Sequence, residues 1–286
     1  MFYAGSPQAL RKQIEQSFLN SPGPGKIPAI ITPTARDLIG VIVPHAGLMY
    51  SGGVAAHAYQ AIAEQGFADT FILLGPNHHG VGSGVAVYPD GAWETPFGSI
   101  PIDTEIVSKL SGGIIDSDES THQQQENSIE VQLPFLQYLA KKKPFSIVPI
   151  IMSMQDYETS VEVGMHIAQV LKESKKSILI LASSDFSHEG ISYGRMPPDN
   201  LTAASYAKQQ DDIAINHILA QDAQSLAKSI ETNHITMCGY GPIIALMTIA
   251  RIMGAQKATL LKYNTSHDIS PNNHACVGYG AFAFYK

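Results

Sequence analysis

Short apolar runs alternate with longer amphipathic segments along most of the chain. Several of these runs are apolar at almost every position, which is typical of central strands in a sheet that helices cover on both faces. The predicted strands are Leu38–Val43, Thr70–Leu74, Gly84–Tyr88, Phe145–Met152, Ser177–Ala182, Ala258–Asn264 and Val277–Phe284.

The segments that flank these strands have apolar residues at helical spacing. Ser6 followed by Pro7 is a typical helix start, and Pro134 indicates a kink or a later start within its segment. The predicted helices are Pro7–Leu19, Gly53–Glu64, Thr104–Leu110, Ser128–Ala140, Tyr157–Glu173, Asn200–Ala220, Ala223–Ile230 and Gly241–Met253. We therefore expect an α/β fold in a single domain over residues 1–286, with a mixed, mostly parallel central sheet flanked by helices.

The composition is that of a soluble globular protein, with 44% hydrophobic and 15% charged residues. No apolar run approaches the roughly 18 residues needed to span a bilayer. The first twenty or so residues lack the basic start and long apolar stretch of a secretory signal. We therefore expect a cytoplasmic protein with no membrane partner.

The net charge of -7 disfavours nucleic acid as a partner, because that binding needs clustered cations to neutralise phosphates. Cations are concentrated only at Lys141–Lys143, after a predicted helix whose carboxyl end favours positive charge. Cys238 and Cys276 are expected to remain reduced, since a large chain without an export signal rarely carries disulfides.

Polar residues follow three of the predicted strands directly. His45 follows the first strand, His78 and His79 follow the second, and Asp185 and His188 follow the strand that ends at Ala182. Because open α/β sheets place ligand chemistry at the carboxyl ends of their strands, these endings together predict a functional site. A single such ending would be equally typical of an ordinary polar loop.

Cys238 lies in TMCGYGP, between one predicted helix and a glycine-rich turn that starts the next. A helix N-terminus favours the thiolate, which is the better metal ligand, although an isolated cysteine is more often a small buried hydrophobe. With the histidines, Cys238 completes a set of metal ligands made of two imidazoles and a thiolate, with at least one coordination position left for another group.

Asp185 and His188 are spaced to share one strand-to-helix corner, where a carboxylate can orient an imidazole that acts as acid or base. The alternative is a helix-capping aspartate and a surface histidine. Glu126 is expected to be a cap or a hydrogen-bond partner of the histidine loops. For Glu130, four residues further on, we expect a structural role behind the site.

Taken together, PHAGLMYSGG, AAHAY, LLGPNHHG, ENSIEVQLPF, SSDFSHEG and CGYGPI resemble the Memo-like family, which includes the AmmeMemoRadiSam system protein B. The resemblance covers nearly the whole chain. It implies a fold similar to that of class III extradiol dioxygenases, which are non-haem iron enzymes.

The resemblance also implies roles for individual residues. His45, His78 and Cys238 match the metal-binding positions of the family, and Asp185 and His188 match the polar pair that faces the same pocket, the expected catalytic residues. His79 is then a neighbour rather than a ligand.

One stretch near the expected cleft mouth both matches the family and departs from it. Tyr50 and Ser51 match residues near the mouth, whereas Leu48 stands where many members carry tyrosine. A substrate contact made by that ring is therefore not expected here, and the role of Tyr50 is not defined by the sequence.

The dioxygenases use a carboxylate as the third ligand, whereas this chain offers a thiolate, which shifts preference toward copper or zinc. We expect iron or copper, with zinc as a third candidate. The resemblance implies a redox-active metal protein with a small-molecule or peptide substrate and a radical SAM protein as a partner. The alternatives are a non-catalytic module for a peptide or phospho-ligand and a copper-sequestering protein.

Overall fold

A computed structural model describes residues 2–31, 36–122 and 126–286 of the chain. The strands are β1 (Leu38–Val43), β2 (Thr70–Pro76), β3 (Val85–Val87), β4 (Ala92–Thr95), β5 (Gly98–Pro101), β6 (Asp116–Ser117), β7 (Ser146–Met152), β8 (Ile178–Ser183), β9 (His188–Gly190), β10 (Lys257–Thr265) and β11 (Ala275–Tyr285). The α-helices are α1 (Pro7–Leu19), α2 (Leu48–Gln65), α3 (Thr104–Leu110), α4 (Leu133–Ala140), α5 (Tyr157–Glu173), α6 (Ala203–Leu219), α7 (Ala223–Asn233), α8 (Tyr240–Ile252) and α9 (Ser266–Ile269).

Within the described ranges, nine strands form the main sheet, in the order β10-β11-β1-β8-β2-β7-β3-β6 with β9 paired to β11, and β4 and β5 form a separate hairpin. The central strands β1, β8, β2 and β7 are parallel, whereas β11 runs antiparallel to β1 and to β10. A mixed sheet with a parallel centre and flanking helices confirms the predicted fold class.

The position of β8 between β1 and β2 determines where the strand ends meet. Val43 at the end of β1 is paired with Ser183 of β8, and Leu74 of β2 is paired with Ala182. Because the three strands are parallel, the segments that follow them leave the sheet side by side at one edge. The strand endings predicted to converge therefore do so.

Helices pack on the sheet through tightly fitted apolar contacts. Helix α2 packs against β1, β10 and β11 with α1 beside it, and α8 packs against β1, β2 and β8 with α5 beside it. Gly40 of β1 permits the close approach of α8, because a Cβ there would lie 2.6 Å from Leu246 Cδ1. Tyr59 and Phe135 stack with ring centroids 4.5 Å apart in the same core.

Three predicted helix starts differ from the structure by more than one residue. Helix α6 begins at Ala203 rather than Asn200. Helix α2 begins at Leu48 rather than Gly53, so Tyr50 and Ser51 lie in its first turn rather than ahead of the helix. Helix α4 begins at Leu133 rather than Ser128, because Pro134 occupies the first helical turn, and residues 130–132 form a 3-10 turn ahead of it.

No helix within the described ranges has both the length and the apolar character that crossing a membrane requires.

Candidate metal centre

His45 leaves the end of β1 in a turn that Asp185 holds in place. Asp185 Oδ1 accepts hydrogen bonds from the backbone N–H groups of His45 at 2.8 Å and Ala46 at 3.2 Å. Both side chains are almost fully buried, with His45 5% and Asp185 4% exposed. The carboxylate therefore fixes the backbone from which the imidazole extends.

The tautomer of His45 follows from its contact with Ser183, whose Oγ lies 2.9 Å from His45 Nδ1. The Ser183 hydroxyl donates its hydrogen to the carbonyl oxygen of Ser128, so toward His45 it can only accept. His45 Nδ1 is therefore the protonated nitrogen. The lone pair is on Nε2, which faces Cys238 Sγ at 3.3 Å.

His78, in the loop after β2, is held by Glu126 at two points. One carboxylate oxygen accepts from the His78 backbone N–H at 2.6 Å, and the other lies 3.0 Å from His78 Nδ1. Glu126 is 7% exposed and also accepts from the backbone N–H of Ser128. This confirms Glu126 as a hydrogen-bond partner of a histidine loop, and it leaves Nε2 as the free nitrogen of His78.

Cys238 is half-buried in the turn that precedes α8. The side chain of Gln155 forms two hydrogen bonds with this turn: it donates to the Cys238 carbonyl oxygen and accepts from the Gly241 N–H, each at 2.9 Å. Ser184 Oγ accepts from the Gly239 N–H at 2.9 Å and so ties the turn to the end of β8. These hydrogen bonds position the Cys238 thiol at the sheet edge where His45 and His78 lie.

The donor atoms of His45, His78 and Cys238 all lie within 4.8 Å of one another. Ligand atoms around a tetrahedral ion with these ligands are roughly 3.5 Å apart, so the 3.3 Å between the His45 nitrogen and the sulfur suits a shared ion. Both imidazoles donate Nδ1–H to a protein oxygen and point Nε2 inward, as metal-binding histidines commonly do. The donor set fits a metal ion.

Burial controls the protonation of two of these three groups. It lowers the pKa of His45 to about 4, against the opposing charge of Asp185, so this imidazole is neutral. Burial, followed by the negative charge of Asp185, raises the pKa of the Cys238 thiol well above its usual range. The expectation that the helix N-terminus favours the thiolate was therefore wrong for the metal-free site, where desolvation dominates.

The His78 and Glu126 pair stabilises the charged form of each partner. The hydrogen bond that His78 donates to Glu126 raises the pKa of His78 in spite of partial burial. Burial alone would raise the pKa of Glu126, but hydrogen bonds from the side chain and backbone of His78 and from Ser128 outweigh it and lower that pKa to about 2. Glu126 is thus ionised at neutral pH.

His188 faces the same cavity, but its orientation has a different cause from the one expected. Thr236 Oγ1 accepts from the His188 backbone N–H at 2.7 Å, and the Thr236 carbonyl oxygen accepts from His188 Nδ1 at 3.1 Å. Asp185, which we expected to orient this ring, instead binds the turn at His45. The ring of Tyr193 packs edge-on against His188, with centroids 5.2 Å apart.

A cavity of about 610 Å³ opens above the cluster. Phe2, Tyr50, Tyr193 and Tyr279 contribute aromatic surface to it, and among the described residues that line it there is no lysine or arginine. His79 also lines the cavity but is exposed, and its backbone N–H binds Asn77 Oδ1. The site therefore combines a buried donor in His45, a half-buried one in Cys238 and an exposed one in His78 with a cavity that is partly aromatic.

Sequence reasoning missed the residues that support the donors, namely Ser183, Thr236 and Gln155. Each supports a neighbour through one or two hydroxyl, amide or carbonyl contacts, and residues of these types occur throughout any chain. Glu130 was predicted to lie behind the site; it is half-buried, and burial raises its pKa to about 7.

A model of the Memo-like protein family matches residues 1–283, so the chain belongs to this family. It is 41% identical over 287 residues to a MEMO1 family protein of Methanopyrus kandleri, covering 100% of this chain and 96% of that protein. It is 42% identical over 288 residues to a MEMO1 family protein of Methanocaldococcus jannaschii, with coverage of 98% and 95%.

Among solved structures, the chain resembles the uncharacterized protein JW3007 from Escherichia coli K12. The TM-score is 0.52 at 13% sequence identity, and the match covers 84% of this chain and 99% of the other. A likeness at this identity is evidence for a shared fold alone.

Proposed function

We propose that this protein is a metal-dependent oxidoreductase that uses oxygen chemistry related to that of the non-haem iron dioxygenases. The observation that carries the proposal is the convergence of two Nε2 lone pairs and one sulfur from three separate loops, beneath an aromatic cavity. Perturbed ionisable groups gathered in one cavity are typical of active sites.

His45, His78 and Cys238 would hold the metal. Imidazole and sulfur ligands suit iron, copper and zinc, and we propose iron or copper, because redox chemistry requires a metal that changes oxidation state. Such a metal would supply the electron transfer of the reaction. The chain contributes neutral imidazoles and a thiol that loses its proton when it binds the ion.

His188 is the proposed acid or base. Its Nδ1 hydrogen is committed to the carbonyl oxygen of Thr236, so Nε2 is the atom that can accept or return a proton within the cavity. Asp185 is the proposed second catalytic residue, in a positioning role: it holds the His45 turn and places a negative charge beside the donor atoms, with Oδ2 4.0 Å from His45 Nε2.

The cavity favours a neutral, partly aromatic substrate. Its lining carries tyrosine and phenylalanine rings, and among the described lining residues there is no lysine or arginine to neutralise a phosphate group. We therefore disfavour the alternative in which this cavity holds a phosphorylated ligand.

Oxygen consumption tests the proposal. Protein loaded anaerobically with Fe(II) or Cu(I) is given oxygen and a panel of catechols and thiols, with His78→Ala as the site variant and His79→Ala as its matched control. We expect wild type and His79→Ala to consume oxygen with at least one compound, and His78→Ala to lose this activity. Consumption no faster than that of free metal across the panel would count against the proposal.

A copper-sequestering protein is the second candidate. The half-buried thiol of Cys238 favours it, because a soft sulfur ligand selects Cu(I). Tight Cu(I) binding with no turnover across the same panel would support this function over an enzymatic one.

A further inference from the structure

A second cavity of about 610 Å³ lies between the β4–β5 hairpin, α1 and the end of α4. It shares no lining residue with the cavity above the metal centre. Among the described residues, its lining includes four cationic residues, Arg11 and Lys141–Lys143, and no aspartate or glutamate. In a protein of net charge -7, this is an unusual concentration of positive charge.

Arg11 is held between two aromatic rings at this cavity. Its guanidinium carbon lies 5.6 Å from the ring centroids of both Phe97 and Tyr138. Within the described residues it forms no ion pair, and Glu15, one helical turn away, instead accepts from the Tyr138 hydroxyl at 3.2 Å. Cation–π contacts with both rings favour this position of the guanidinium group, and within the described residues no hydrogen bond occupies its N–H groups, so they can bind a ligand.

The three lysines differ in how far their charges are already paired. Lys143 Nζ lies 3.4 Å from Asp69 and donates to the carbonyl oxygen of Phe67 at 2.8 Å. Lys141 and Lys142 form no ion pair with any residue in the described ranges. Together with Arg11, they give this cavity three positive charges without a paired acid.

Part of the wall of this cavity is apolar, and hydrogen bonds join the hairpin to α4 beside it. Ile100 and Phe145 contribute apolar surface, and Gln137 of α4 anchors the hairpin by donating to the Gly98 carbonyl oxygen at 2.9 Å and accepting from the Thr95 hydroxyl. The helix dipole explains why lysines are favourable after α4, but it does not explain a stacked arginine and an apolar cavity beside them.

We propose that this cavity is a second ligand site, for a small molecule that joins a phosphate or dicarboxylate group to an apolar, ring-sized body. Arg11 would bind two oxygens of the anion through its planar N–H groups, and Lys141 and Lys142 would complete its neutralisation. The body of the ligand would pack against Ile100 and Phe145. The cavity volume lies within the range of small-molecule sites.

Isothermal titration calorimetry of the full chain tests this site with three probes. 1-Naphthyl phosphate and phthalate represent the phosphate and dicarboxylate sources, and 1-naphthol is the neutral analogue. We expect saturable binding of at least one anionic probe and much weaker binding of 1-naphthol. Tighter binding of one anionic probe would support the proposal and show whether the site prefers a phosphate or a dicarboxylate group. Failure of both anions to bind saturably would overturn the proposal.

Variants locate the binding in the second cavity. Arg11→Gln and the double variant Lys141→Gln/Lys142→Gln should each weaken binding about tenfold or more, and Arg11→Lys should restore only part of the loss. Lys12→Gln is the matched control, because Lys12 is exposed on the same helix but does not line the cavity. His78→Ala should bind normally.

Two results in the variant series would overturn the proposal. Equal weakening by Lys12→Gln and Arg11→Gln would mean that the probes respond only to overall charge. Loss of binding in His78→Ala would mean that they occupy the cavity of the metal centre. Because His78→Ala tests the metal site separately, failure of this inference can be distinguished from failure of the proposed oxidoreductase function.

Discussion

His45, His78 and His188 each donate the Nδ1 hydrogen to a different kind of acceptor. The acceptors are the hydroxyl of Ser183, the carboxylate of Glu126 and a backbone carbonyl oxygen. The consequence is the same in each case, since the Nε2 lone pair becomes the available one. The supporting residues therefore decide which atom each ring offers to a ligand.

The first prediction concerns Glu126. Glu126→Gln removes the negative charge that orients His78 and increases its basicity, so metal affinity should fall by about 10–100-fold. Competition with a chromophoric chelator measures the affinity. Glu130→Gln is the control, because within the described residues Glu130, which is half-buried, forms no hydrogen bond or ion pair with His78, and this variant should bind metal like wild type. Equal affinity for Glu126→Gln and wild type would contradict the assigned role.

The second prediction concerns protons released on metal binding. Burial raises the pKa of Cys238, so the metal-free thiol is protonated at neutral pH and must lose its proton to bind the ion. The affinity for the metal should therefore rise about tenfold per pH unit when one proton is released. The rise should be steeper at lower pH, because His78, whose pKa is raised, is then protonated too and must also lose a proton. Titrations in buffers of different ionisation enthalpy count the protons, and release of none would show that the thiolate exists beforehand.

Candidate ligand and catalytic residues could be found from the sequence, whereas the residues that orient them through hydrogen bonds could not. His45 and His78 were identified because they directly follow apolar strands, and Cys238 because it precedes a helix at a glycine-rich turn. Thr236 supports His188 from 48 residues away, and nothing in its local sequence indicates that contact. Likewise, Asp185 binds the His45 turn across 140 residues of chain rather than its sequence neighbour His188.

At the scale of elements, the long apolar strands were predictable, whereas of the short strands only the buried β3 was predicted and β4, β5, β6 and β9 were not. Strands β1, β2, β7 and β8 are buried along almost their full length, so composition alone marks them. The hairpin of β4 and β5 has exposed, mixed residues, and β9 is three residues long and depends on its pairing with β11. The place of β9 in the sheet follows from tertiary contacts that have no local sequence signature.

The third prediction concerns the packing of β11 against α6 and the loop after β8. A Cβ on Gly278 would lie 1.8 Å from Asp211 Oδ2, and the Gly278 carbonyl oxygen accepts from the Phe186 N–H at 2.8 Å. Gly278→Ala should therefore destabilise the fold by about 1–3 kcal/mol through overpacking. Denaturant unfolding measures the change, with Gly5→Ala as the control, since nothing lies within 4 Å of that position. Equal stability of the two variants would contradict the packing described.

At the scale of the whole molecule, Asp211 couples stability to pH. It is fully buried, accepting from the Ser187 N–H at 2.8 Å and from the Tyr263 hydroxyl at 2.7 Å. Burial raises its pKa from 3.8 to about 6 in spite of these hydrogen bonds. The protonated carboxyl is therefore favoured in the folded state, and its contribution to stability is lost as pH rises from about 4 through about 6.

The fourth prediction follows from this linkage. Asp211→Asn removes the titration, so the stability of wild type relative to this variant should increase by up to about 3 kcal/mol as pH falls from 7 to 4. Denaturant unfolding across this range provides the measurement. A difference between the two proteins that does not change with pH would contradict the raised pKa.

The fold class was predictable for the whole molecule because one α/β pattern extends along nearly all of the chain. The convergence of strand ends followed from it, since parallel neighbours necessarily end at one edge. The second cavity was not predictable. Arg11 is distant in sequence from Phe97 and Tyr138, and only the packing of α1 against the hairpin and α4 brings them together.

The metal content of protein purified without added metal tests the central claim most directly. Elemental analysis should find close to one iron or copper ion per chain in wild type and in His79→Ala, and almost none in His78→Ala, with all three proteins folded by circular dichroism. Unchanged metal content in His78→Ala, or protein that neither retains nor takes up these metals, would contradict the assignment of His45, His78 and Cys238 as a metal centre.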